Sequence, residues 1–227
     1  MKISYLSHSS ERCTVQFYGC NFDCTWCFTT EKRQEFVNIT PEELHLKIEG
    51  LGVREVLLAG GEPTIARDEL PSLIELFDER VILSTNGYLL DEEYITGLER
   101  SGLDEIHIDL KAYSGSIHER YTKRSNLKVL RAIELLSKSE IDFEVVTVFI
   151  PGVIDLDEVE KIASFLSDLG EIKFRIIRYV PREGLSRRPT EEEMVKAVSV
   201  AKGFLGDVTS SLDYRRHPKD RMVVDLL

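Results

Sequence analysis

Several shortages in the sequence remove whole classes of function. Four cysteines occur in 227 residues, with one tryptophan and three methionines. So few cysteines in a charge-rich chain of this size do not suggest a disulfide framework, which belongs to small secreted domains. Basic residues are outnumbered 29 to 40 by acidic ones, for a net charge of −11. Non-specific nucleic-acid binding rests on cations meeting phosphates, so no nucleic-acid partner is expected. No apolar run reaches the roughly 18 residues of a membrane span, and the first residues lack a charged-then-apolar leader. The expectation is a cytoplasmic protein with no membrane partner. At 42% hydrophobic residues the chain can bury a sizeable core, in one domain or a small two-domain arrangement.

What is present is concentrated. Cys20, Cys24 and Cys27 form a C-x3-C-x2-C array directly after the strand-like run Thr14–Tyr18. Thiolates this close in sequence can converge on one metal centre. Iron–sulfur clusters normally take four cysteines, and three leave one iron open, as a catalytic metal site keeps a position for substrate. The array reads as a [4Fe–4S] cluster with its fourth iron held for a small molecule. A structural zinc site is the competing reading, with Cys13 or His8 as fourth ligand.

Strand-like and helix-like segments alternate along the chain. Strands are expected at Thr14–Tyr18, Glu55–Ala59, Val81–Thr85, Glu105–Leu110, Phe143–Ile150 and Ile172–Val180. Helices are expected at 40–51, Glu69–Glu79, Asp91–Arg100, Asn126–Ser137, Asp155–Leu169 and 190–204, two of them opened by a threonine and following acids. In the helix from Asn126 the expected buried stripe is Leu127, Leu130, Ile133, Leu135 and Leu136. Six β–α units at a spacing of about 30 residues predict a parallel α/β sheet, open or barrel-like, with strands buried on both faces. Active-site residues then belong at the C-terminal ends of the strands.

Unusual residues fall at those ends. Gly60-Gly61-Glu62-Pro63-Thr64 follows the second strand, Thr85-Asn86-Gly87 the third, and Asp109-Leu110-Lys111 ends the fourth. The glycines permit close backbone approach, and Asp109 and Lys111, two apart, share a face. Each motif alone is compatible with an ordinary turn or a solvated lysine. Arg175, Arg178, Arg182, Arg187 and Arg188 gather around the sixth strand. Arginines there suit bidentate capture of carboxylate or phosphate, and Arg178 is the first candidate substrate contact. Cys13 reads as a packed structural cysteine.

The pairing of C-x3-C-x2-C with Gly-Gly-Glu-Pro resembles the radical S-adenosylmethionine superfamily over about residues 15–180. That resemblance implies a partial (β/α)6 barrel with parallel strands and the cluster loop after strand 1. It implies that Cys20, Cys24 and Cys27 hold the cluster, and that the open iron chelates the methionine part of S-adenosylmethionine. Gly60, Gly61 and Glu62 would meet its amino group, Lys111 its carboxylate, and Trp26 and Phe28 would border the adenine. An electron, from a donor of the flavodoxin or ferredoxin kind, would cleave the sulfonium to a 5′-deoxyadenosyl radical that abstracts a hydrogen atom.

A narrower resemblance runs from Asp104 to Lys111 and on through His118, Tyr121, Ser125-Asn126 and Leu130, then Phe149–Gly152 and Asp155. It is similar to the activating enzymes of glycyl-radical proteins, the pyruvate formate-lyase activating enzyme group. It implies a glycyl-radical partner, and a monovalent-cation site near Thr85, Asp109 and the His107 backbone. Asp109 and Lys111 become the catalytic candidates, with Thr85 and Asn86 in the cofactor site. Ser84 stands where that group often has Asp, Val146 where it often has Arg, and four cysteines exclude a ferredoxin-like insert. The alternatives are radical modification of a small carboxylate- or phosphate-bearing metabolite, as in deazaguanine-forming enzymes, and a non-catalytic zinc- or cluster-binding module. Residues 1–212 read as the core domain and 213–227 as a basic C-terminal tail.

Overall fold

The computed structural model describes residues 1–27, 35–182, 184–213 and 222–224. Strands β1 (Lys2–His8) and β2 (Arg12–Phe17) form an antiparallel hairpin. From β2 onward the sheet is parallel, through β4 (Glu55–Gly60), β5 (Arg80–Thr85), β6 (Glu105–Asp109), β7 (Asp142–Phe149), β8 (Lys173–Arg178) and a short β9 (Val208–Ser210). Two further short strands, β3 (Val37–Asn38) and β10 (Met222–Val224), pair with β1. The strand order ends at β9 on one side and β10 on the other, so the sheet is not closed. The six expected strands are β2 and β4 to β8, and the architecture is the partial α/β barrel predicted.

Helices α1 (Pro41–Glu49), α2 (Leu70–Ile74), α3 (Glu92–Arg100), α5 (Leu127–Leu136), α6 (Leu156–Leu169) and α7 (Glu191–Ala201) follow their strands. The threonine starts are real capping boxes. The Glu43 amide donates to Thr40 Oγ1 at 3.2 Å and Glu193 repeats this on Thr190 at 3.1 Å, each worth about 1 kcal/mol. Helices cover one face of the sheet, where Val56, Leu58, Ile106, Ile108, Phe174 and Ile176 are buried with Leu44, Leu98, Ile133 and Leu166.

Three expectations need correction. The strands are not uniformly apolar on both faces: Glu105, His107 and Asp109 alternate with buried Ile106 and Ile108 and are only partly covered. The second helix is shorter than Glu69–Glu79, ending at Ile74 in tight turns from the Leu76 and Phe77 amides. In α5 the buried stripe is Val129, Ala132, Ile133 and Leu136, while Leu127 is 71% exposed; the helix is rotated so that its first leucine points outward. One helix was not anticipated at all, α4 (Gly115–Thr122), which ends at Lys123 in the left-handed region. No helix among the described residues is long and apolar enough to cross a membrane.

Candidate functional site

The cysteine loop leaves β2 and is held by its neighbours as well as by its own bonds, the Cys27 amide to the Cys24 carbonyl among them. The amides of Asp23 and Thr25 donate to the carbonyls of Thr122 and Tyr121 at the end of α4 (3.1 and 2.9 Å), and Arg124 Nε donates to the Asn21 carbonyl at 3.3 Å. Phe22 packs edge-on against Tyr88 and His118. Beneath it, the Glu62 amide donates to the Gly19 carbonyl at 2.9 Å. A Cβ on Gly61 would overlap that same oxygen, and one on Gly60, at φ +109°, would meet the Phe17 amide nitrogen at 2.7 Å. The Gly-Gly pair is therefore a packing requirement: only glycine lets β4 run this close under the loop.

Glu62 does not project into open space. Its carboxylate is buried and accepts from Thr64 N (3.1 Å), Thr64 Oγ1 (2.6 Å), Thr85 Oγ1 (2.5 Å) and Asn86 N (2.7 Å). Burial raises its pKa and these donors oppose the rise. The side chain staples the loop after β4 to the loop after β5. Thr85 is thus engaged with Glu62, and Asn86 reaches on to the cysteine loop, donating from Nδ2 to Asn21 Oδ1 at 2.7 Å and standing 3.8 Å from Cys20 Sγ.

Asp109 and Lys111 do share a face at the end of β6, with Lys111 Nζ 2.9 Å from Asp109 Oδ2. Burial works against the Lys111 charge, but Asp109, Tyr121 and Cys24 together hold its pKa above the ordinary lysine value. Burial pushes the Cys24 thiol up to about 12, with Lys111 pulling the other way and Cys20 and Cys27 close enough to act on it. Trp26 lies against Tyr121, 5.4 Å between ring centroids, in a small apolar cluster with Ala112, Ile150, Ile154 and Tyr179 above the strand ends. Phe28 lies outside the described residues, as do the basic residues of the tail from Tyr214 to Lys219.

The donor set fits an iron–sulfur cluster better than zinc. Cys13 and His8 are register partners at the opposite end of the hairpin. Cys13 precedes Phe17 by four strand residues, about 13 Å of rise, and is itself fully buried with its thiol pushed up to about 12. Neither can complete a site at Cys20–Cys27, so neither supplies the fourth ligand a structural zinc needs.

The face of the sheet that bears His107 carries a paired charge array. Arg175 contacts Glu144 and donates to His107 Nδ1 at 3.1 Å. Arginine can only donate, so Nδ1 accepts and Nε2 carries the proton, facing Glu144 Oε1 at 3.1 Å and Glu105 Oε1 at 3.5 Å. In that tautomer the Nε2 hydrogen is shared toward Glu105, while Glu144 Oε1 stands at ion-pair distance without hydrogen-bond geometry. The ligand atoms of Glu105, His107 and Glu144 lie within 4.8 Å of one another, but a metal on Nε2 would require the proton on Nδ1. Arg178 shares the opposite face with Phe174 and Ile176; its Nε donates to the Pro189 carbonyl at 2.7 Å, and Glu191 is 3.8 Å away. Sequence parity alone separates Arg175 from Arg178, but does not say which of them faces His107.

Comparison with known proteins identifies the family. The chain matches the Radical SAM superfamily over residues 15–166. It is 39% identical to a Methanocaldococcus jannaschii protein provisionally named as a glycyl-radical enzyme activating enzyme, covering 99% of this chain and 89% of that one. It is 30% identical to a GTP 3′,8-cyclase of Peptoclostridium acidaminophilum, over 88% of this chain and 66% of the cyclase. A domain of a pyruvate-formate lyase-activating enzyme from Bacteroides vulgatus superposes with a TM-score of 0.61 at 18% identity, covering 69% of this chain and 98% of that domain. The chain belongs to the radical S-adenosylmethionine superfamily.

Proposed function

We propose that this enzyme activates a partner protein by abstracting a hydrogen atom from a glycine. Cys20, Cys24 and Cys27 hold the [4Fe–4S] cluster, Lys111 receives the carboxylate of S-adenosylmethionine by turning from Asp109, and the loop at Gly60–Glu62 offers backbone acceptors to its amino group. Bound cluster and S-adenosylmethionine supply the hydrogen-abstracting chemistry. The protein's part is to orient the cofactor, keep water out beneath Trp26 and Tyr121, and present the acceptor.

The observation that carries the choice of substrate is the state of the arginines. Arg175 answers to Glu144, Arg178 to Pro189 and Glu191, and Arg187 to Glu193. An anionic metabolite would have to displace Glu144 from Arg175, leaving that buried acid unpaired. A neutral main-chain glycine asks for no such exchange. The long alignment with the relative named for glycyl-radical activation points the same way. The nucleotide-type alternative draws on the cyclase relative.

The test mixes reconstituted protein, an electron donor of flavodoxin or ferredoxin type and S-adenosylmethionine with candidate glycyl-radical proteins. A glycine-centred doublet in the electron paramagnetic resonance spectrum supports the proposal. No doublet with any partner, alongside turnover of GTP or another anionic metabolite, overturns it.

A further inference from the structure

We infer that Asn86 is a positioning residue for the cluster, and that it sets the reduction potential through Cys20. The inference rests on Cys20 being a cluster ligand and is independent of which substrate is used. Asn86 is 6% exposed and fixed on every side. Its amide donates to Glu62 Oε2, its Oδ1 accepts from the Tyr88 amide at 3.0 Å, and one Nδ2 hydrogen goes to Asn21 Oδ1. The same Nδ2 also stands 3.8 Å from Cys20 Sγ, and the Phe22 amide reaches that sulfur at 3.4 Å. Among the described residues Cys20 Sγ therefore faces two N–H donors, one of them on a side chain that cannot swing away without breaking its bonds to Tyr88 and Asn21.

Donors aimed at a ligand sulfur stabilise the extra negative charge of a reduced cluster and raise its potential. The Asn86 amide is an uncharged donor, so the effect needs no titration and is present at any working pH. The same contact ties the loop after β5 to the cysteine loop, through Glu62 to the loop after β4. Three strand ends are thus registered on one sulfur.

The test is a redox titration of anaerobically reconstituted protein followed by electron paramagnetic resonance, comparing wild type with Asn86→Leu, Asn86→Asp and Asn21→Ala. Asn86→Leu removes the donors without adding charge. Its midpoint should fall so that the reduced fraction at a fixed potential drops on the order of tenfold, about 59 mV for one electron. Asn86→Asp should fall further, and Asn21→Ala, which keeps the Cys20 contact, should fall less than Asn86→Leu. An Asn86→Leu protein with full iron content and an unchanged midpoint overturns the inference, as does a shift in Asn86→Asp alone, which charge explains. Should Asn86→Leu fold by circular dichroism yet fail to hold iron, the positioning role stands. Iron content of Cys20→Ala separates this question from the ligand assignment: full four-iron loading there would sink the assignment itself.

Discussion

Gly61 lies directly beneath Gly19, so close that a methyl group on Gly61 would overlap the Gly19 carbonyl oxygen. The contact is backbone against backbone, with the Gly61 amide bonded to Phe17 and the Glu62 amide to Gly19. Neither side can move without dislodging the loop that carries the cysteines.

Gly61→Ala should therefore destabilise the protein by about 1–3 kcal/mol, the usual range for forced overpacking, and abolish cluster retention. Gly97→Ala is the control. Gly97 sits inside α3 with nothing within 4 Å of an added Cβ, and alanine there should stabilise by about 0.5–1 kcal/mol. Denaturant unfolding of the two variants reads opposite signs.

Lys111→Met should weaken S-adenosylmethionine binding by about 10- to 100-fold, the worth of a charge-assisted hydrogen bond to a carboxylate. Because Lys111 is held above its ordinary pKa, it stays charged across about pH 6–9. The affinity measured by calorimetry should show no break in that range attributable to this group.

Glu105 carries the clearest acid dependence. His107 is the main cause of its lowered pKa, with Arg80 helping and burial opposing, and the carboxyl is held near 2 instead of 4.5. A depressed carboxyl stabilises the fold above its unfolded pKa and loses that contribution as pH falls through the folded one. Between about pH 4.5 and 2 the wild type should lose more stability than Glu105→Gln. Parallel curves for the two proteins over that window would refute the pairing.

Removing Arg175 should cost more than removing Arg178. Arg175→Met strands Glu144, which is 7% exposed, and should cost about 3 kcal/mol. Arg178→Ala loses a carbonyl contact and a distant, exposed acid, about 1 kcal/mol. The Arg175→Met deficit should shrink at low pH, where Glu144, already raised by burial, protonates. Thermal unfolding at two pH values measures both differences.

Much of the architecture was legible in the sequence because parallel strands and capped helices leave local marks. Thr40 and Thr190 announce their helices, and Val56–Leu58 or Ile106–Ile108 their strands. α4 left no such mark: it is polar and short, and the hydroxyl of its Ser114 N-cap turns to Glu158 and Lys161 instead of capping the helix. Yet its last carbonyls hold the cysteine loop. The locations of Gly60–Glu62, Asn86 and Lys111 at strand ends were readable, but their partners were not. Nothing local says that Glu62 is wrapped by Thr85 and Asn86 as well as by Thr64, or that Arg175 rather than Arg178 faces His107. Those depend on register across strands far apart in the chain.

The central claim is that three thiols on one loop hold a cluster that accepts S-adenosylmethionine. It is tested most directly by quantifying 5′-deoxyadenosine from reduced, reconstituted protein, wild type against Cys24→Ala. Wild type with about four irons per chain, as the proposed [4Fe–4S] cluster requires, should yield 5′-deoxyadenosine and methionine, and Cys24→Ala should yield neither. Equal yields from both proteins, or none from fully loaded wild type, would contradict it.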